Sequence, residues 1–126
     1  MTVVNDHAPA VLREYYRILT GGIENYGDGR DLAPLLADDL HFEGPIAGQV
    51  TGSAPFLQGV RGFIANVQKI DLIQEVHGPN GTAVLYDAHL PEGASRLTEF
   101  FTFAEGKIQR LCILYDPADY LAKGGA

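Results

Sequence analysis

The stretch RLTEFFTFAEGKIQRLCILYD, residues 96–116, holds two extended segments around a tight turn. In the first, Leu97, Glu99, Phe101 and Phe103 alternate with Thr98, Phe100 and Thr102. In the second, Leu111, Ile113 and Tyr115 alternate with Arg110, Cys112 and Leu114. Period-two patterning of this kind is the signature of a strand with two unlike faces. Between them AEGK, at 104–107, supplies the acid and glycine of a hairpin turn. One glutamate, Glu99, falls on the more apolar side.

Reading upstream, PEGAS at 91–95 and HGPNG at 77–81 are further turn signals. The chain from Lys69 onward is therefore expected to form four strands joined by three hairpins. Within 83–90, Val84, Tyr86, Ala88 and Leu90 oppose Leu85, Asp87 and His89. The more apolar set is assigned to a concave, helix-covered face. The first half reads as helical. Residues 6–20 place Val11, Leu12, Tyr15, Ile18 and Leu19 on one face, with Asp6 as N-cap and Pro9 in the opening turn. Tyr16 falls beside that stripe and is expected as a flank or interface residue. GGIENYGDGRD, 21–31, suits a lid or a plain connector. DLAPLLADD, 31–39, reads as a short helix capped by Asp31, and 40–44 as a strand broken by Pro45 and Gly48. Ser53 and Pro55 open a helix whose stripe is Phe56, Leu57, Val60, Phe63 and Ile64. The tail, 116–126, reads as a closing turn and a frayed end. Helices followed by a meander of strands predict an α+β architecture with helices on one face of an antiparallel sheet.

Composition narrows the partners. The chain has 126 residues, 46% of them hydrophobic and 20% charged, which is enough apolar mass for one domain over 1–126 with its core at 8–121. A net charge of -7 and a pI near 4.8 oppose binding to nucleic acid or anionic membranes. The amino end has no secretory pattern and no apolar run of membrane-spanning length appears, so a soluble cytoplasmic protein is expected. Cys112 is the single cysteine, which rules out an internal disulfide. The four histidines, at 7, 41, 77 and 89, share no ligand spacing, and no phosphate-cradling motif occurs. Neither metal nor cofactor is expected.

Two segments carry a resemblance. LLADDLHFEGP, 35–45, followed at the right separation by FFTFAEGKIQRLCILYD, 100–116, resembles the nuclear transport factor 2-like superfamily, closest to its SnoaL-like branch and the ketosteroid isomerases. The resemblance implies a cone-shaped, curved antiparallel sheet wrapped around helices and an apolar pocket. It also implies a range of chemistries: isomerases, epoxide hydrolases, polyketide cyclases and dehydratases share the fold. Ketosteroid isomerases carry a catalytic Asp just before the Pro of the first strand, where this chain has Gly44. Their oxyanion hole pairs a first-helix Tyr with a protonated acid on the aromatic strand, and Tyr15 and Glu99 match those places. The Asp–Arg–Asp set of limonene-epoxide hydrolases, with its water-holding Tyr and Asn, is replaced by Leu90, Ala88, Ile113, Phe42 and Gly44, which excludes that mechanism.

An inward Glu99 would lose water and hold its proton more tightly than usual, making it a candidate acid or base with Tyr15 as donor to a substrate oxygen. The pocket wall is then expected from Phe42, Gly44, Phe56, Val60, Phe63, Tyr86, Ala88, Leu90, Phe101, Leu111, Ile113 and Tyr115. The plain alternative pairs Glu99 with Arg96 or Arg110 at the sheet rim, or leaves it facing solvent. Three functions follow. The chain is a cofactor-free isomerase, cyclase or dehydratase acting on a small apolar molecule, a non-catalytic binder of such a molecule, or an interaction protein. In the last case Leu85, Phe100 and Leu114 on the outer sheet face would pair with a partner, a homodimer being the expected form.

Overall fold

A computed structural model describes residues 3–126. The first two residues of the expected domain lie outside the described residues. Six strands form one sheet in the order β2-β1-β6-β5-β4-β3. They are β1 Leu36–Gly44, β2 Gly48–Thr51, β3 Lys69–Gly78, β4 Gly81–Leu90, β5 Gly93–Ala104 and β6 Lys107–Leu114. The last four make the three hairpins read from the turn residues, in register Val84↔Glu99 and Glu99↔Ile113. Register slips at Leu72/Gln74 and Thr102/Phe103 mark bulges, which bend strands and raise their twist. The result is a curved, unclosed sheet.

The helices lie against the concave side: α1 Ala10–Leu19, α2 Ile23–Tyr26, α3 Ser53–Gly59, α4 Arg61–Asn66 and α5 Pro117–Ala122. Burial separates the two faces as alternation requires. Val84, Tyr86, Ala88, Leu90, Leu97, Glu99, Phe101 and Leu111 are all buried, whereas Phe100 and Leu114 are 46% and 53% exposed on the outer face.

Several elements differ from expectation. Residues 36–39 are strand rather than helix, and only Ala33–Leu35 winds, as a 3₁₀ turn. Pairing overrides local preference here, because Leu36 and 41–43 find parallel partners on β6, and Leu36 and Leu40 are buried in the core. That pairing makes the sheet mixed rather than wholly antiparallel. The short strand β2, absent from the sequence reading, folds back on β1 from Gly48, whose φ of 72° suits glycine. The first helix begins at Ala10 behind Pro9 and not at Asp6, with no side-chain cap. The expected helix at 53–64 is two helices joined at Val60, between the weak helix formers Gly59 and Gly62. The tail is ordered as α5, capped by Asp116, whose carboxylate accepts from the amides of Ala118 and Asp119. Its end is tied down by the Tyr120 hydroxyl, which donates to the Ala126 carbonyl.

Candidate functional site

The site begins with α1. Leu12, Tyr15, Tyr16 and Leu19 stand at i, i+3, i+4 and i+7, so both tyrosines face the sheet, and all four are buried. Opposite them β5 presents Glu99, 1% exposed, and β4 presents Tyr86 beside it. The Tyr16 and Tyr86 hydroxyls each donate to Glu99 Oε1 at 2.7 Å. Tyr15 reaches the other oxygen, Oε2, at a long 3.4 Å. The two carboxyl oxygens are thus unequal: Oε1 has two good donors, and Oε2 has one weak one.

Edge-on ring contacts hold the donors in place. Tyr15 meets Tyr16 at 5.1 Å and Phe101 at 5.5 Å between ring centres, and Tyr16 meets Tyr86 at 6.0 Å. Burial pushes the Glu99 pKa above the usual carboxyl range, and the bonds from Tyr86, Tyr16 and Tyr15 partly oppose that rise. The same burial, with the Glu99 charge second, raises all three phenols well above 10.0, so they remain protonated donors. Among the described residues no cation bonds Glu99. Arg96 is bound instead to Asp87 on the outer face, at 2.9 Å and 3.1 Å.

A cavity of about 180 Å³ opens beside Glu99. Its lining includes Tyr15, Tyr86 and Glu99 at the polar end, and Phe42, Gly44, Phe56, Val60, Phe63, Leu111, Ile113 and Tyr115 around the walls. Three other residues expected there lie elsewhere. Ala88 and Leu90 are buried further along β4, in the core, and Phe101 is buried among Tyr15, Tyr16 and Phe103. The cavity also takes in Leu19, Leu97 and Tyr120, Ile46 from the β1–β2 turn and Val50 from β2, none of which the sequence placed in the pocket wall.

Tyr16 is the chief omission. Expected at the flank, it is fully buried and makes one of the two short bonds to Glu99. Its spacing from Leu12 and Leu19 was the available signal. At Gly44 an added Cβ would lie 2.9 Å from Ile113 Cγ2, so a side chain there requires Ile113 to shift. The 21–31 segment is pinned to the helices: Tyr26 donates to the Leu57 carbonyl at 2.7 Å, and Arg61 bonds the Gly27 carbonyl while covering the Tyr26 ring. His77 lies between Thr82 and Glu75, and His89 meets Asp71, both away from the cavity. Among the described residues no cluster of three or more His, Cys, Asp or Glu fits a metal, and no helix is long and apolar enough to cross a membrane.

With this geometry in view, the comparisons place the chain. The model of the SnoaL-like domain matches residues 12–111. No curated protein sequence matches it at significance. Among solved structures, a provisionally assigned isomerase from Rhodopseudomonas palustris has a TM-score of 0.74 at 18% identity, covering 95% of this chain and 97% of that one. A steroid delta-isomerase from Pseudomonas aeruginosa has a TM-score of 0.71 at 16% identity, covering 98% and 89%. An uncharacterised bacterial protein with a cystatin-like fold from Silicibacter pomeroyi DSS-3 has 0.72 at 15%, covering 94% and 82%. The solved structures share the curved-sheet fold, and the family match over most of the chain establishes that it belongs to the SnoaL-like domain family.

Proposed function

We propose that the chain is a cofactor-free enzyme of isomerase type acting on a small apolar carbonyl compound, with Glu99 as proton carrier and Tyr15 as hydrogen-bond donor. The observation that carries this reading is the inequality of the Glu99 oxygens: Oε1 is held by Tyr16 and Tyr86, while Oε2 has only the long contact from Tyr15, and both Glu99 and Tyr15 line the cavity. A carboxylate oxygen so placed takes a proton from a carbon next to the carbonyl, and the C–H electron pair moves through that carbon onto the carbonyl oxygen. Tyr15 donates to the resulting enolate oxygen. Glu99 returns the proton to a second carbon, the carbonyl reforms, and a double bond has moved without oxidant or cofactor. Burial supports the role, because a raised carboxyl pKa makes a stronger base and brings the acid and base forms closer in energy near neutral pH. The fold likeness to a steroid delta-isomerase agrees with this class of reaction.

The deciding test is Glu99→Gln. It keeps the shape and an acceptor for Tyr16 and Tyr86 but cannot carry the proton, so turnover of a β,γ-unsaturated ketone should fall about 10²–10⁴-fold with the fold intact. Undiminished turnover refutes the role.

A second reading, a non-catalytic carrier of the same ligand, is favoured by Gly44, where ketosteroid isomerases have their base. A carrier binds ligand equally with and without Glu99→Gln and releases no product. Within either reading we propose a cytoplasmic homodimer, supported by exposed Phe100 and Leu114 on adjoining strands of the outer face. Sedimentation that stays monomeric at high concentration removes the dimer.

A further inference from the structure

Resting on the Glu99 reading, we infer that the cavity selects uncharged compounds of one ring, or a branched chain of equal bulk, carrying a single carbonyl oxygen, and that it turns away fused polycycles. Volume is the first ground. At about 180 Å³ the space is near the roughly 150 Å³ that admits benzene in an engineered cavity, and below the roughly 300–1,000 Å³ of sites for drug-sized molecules. A fused ring system anchored at Glu99 would have to extend past Ile46, which lines the cavity and is 53% exposed, into solvent.

Charge is the second. Among the described residues that line the cavity none is Lys, Arg or His, and the one carboxylic side chain is Glu99. An anionic ligand would be stripped of water beside a carboxyl with no counter-charge. Polar placement is the third. At the Glu99 end the Tyr86 hydroxyl is committed to the carboxyl, which leaves the Tyr15 hydroxyl to donate to one substrate oxygen while Glu99 Oε2, 3.4 Å from it, meets the adjacent carbon; of the other tyrosines in the lining, Tyr120 is committed to Ala126 and Tyr115 is half-buried in the wall. Phe56, Phe63, Leu97 and Leu111 offer the remainder of the ligand only apolar contact.

Saturation-transfer NMR and calorimetry on the full chain test this with five probes: cyclohex-2-enone, acetophenone, a four-ring steroid enone, benzoate and benzyltrimethylammonium. The two single-ring ketones are expected to bind, the steroid at least about tenfold more weakly, and neither ion measurably. Ile113→Ala, or Phe63→Leu if the first variant fails to fold by circular dichroism, is expected to narrow the steroid's deficit by about tenfold. A steroid that binds as well as acetophenone, tighter binding of either ion, or no binding of any single-ring ketone at millimolar concentration overturns the inference. The two readings fail separately. Single-ring binding and turnover that survive Glu99→Gln remove the role of Glu99 and leave the size limit standing, whereas Glu99-dependent turnover of the steroid does the reverse.

Discussion

Tyr16 and Tyr86 donate to the same oxygen of Glu99, each at 2.7 Å, one from helix α1 and one from strand β4. Together they supply the donors that a buried carboxyl would otherwise take from water. They also fix which oxygen is left to act. Tyr16→Phe should therefore cost about 1–3 kcal/mol of stability, the range for a buried group losing a partner. It should also raise the pKa of Glu99 further, since that bond opposes the effect of burial. The check is the acidic limb of the kcat profile, which should move to higher pH; a purely structural tyrosine would lower stability and leave that limb in place.

Tyr15→Phe should behave in the opposite way. Its 3.4 Å contact with Oε2 is weak, so stability should fall by less than about 1 kcal/mol. Turnover should drop about 10²–10³-fold, the usual effect of losing one donor to a developing oxyanion. Paired melting and kinetic measurements on the two Phe variants would separate the roles.

Stability should depend on pH through Glu99. Its folded pKa is raised above the ordinary 4.5, so above that value the native state holds a proton that the unfolded chain has released. The associated stability is fully present below pH 4.5, declines as pH rises toward the folded pKa, and levels off beyond it. Glu99→Gln has no such proton. The melting temperature of the wild type relative to this variant should fall with rising pH across that window, and a flat difference would count against the raised pKa.

Much of this arrangement was legible in the sequence. Alternation at Val84, Tyr86, Ala88 and Leu90, and at Leu97, Glu99 and Phe101, gave the inward face because a period of two leaves one choice once the apolar side is known. Turn chemistry located the three hairpins. What escaped notice depended on partners remote in sequence. Residues 36–39 carry local helical character but lie in a strand anchored on β6, some seventy positions away, at Leu36↔Ile108 and again from His41↔Arg110. Tyr16 is expected at the flank because the apolar face read from spacing, Val11, Leu12, Tyr15, Ile18 and Leu19, leaves it one step to the side. The stripe that packs against the sheet runs through Leu12, Tyr15, Tyr16 and Leu19. Ala88, Leu90 and Phe101 share the face of the site but lie outside the cavity, since parity assigns a face and says nothing of depth.

Restoring a base at position 44 should fail on steric grounds alone. Gly44→Asp sets its Cβ within 2.9 Å of Ile113 Cγ2, and overpacking of this kind costs about 1–3 kcal/mol. The single variant should melt lower and gain no activity. Combined with Ile113→Ala it should regain most of the lost stability and isomerise β,γ-unsaturated ketones faster than the wild type, as read by melting curves and an ultraviolet enone assay.

Direct ¹³C NMR titration of the Glu99 side-chain carboxyl, in the wild type and in Tyr16→Phe, examines the buried proton carrier itself. A midpoint above 4.5 that rises further in the variant is the expected result. A midpoint no higher than 4.5, unmoved by loss of the Tyr16 hydroxyl, would contradict it.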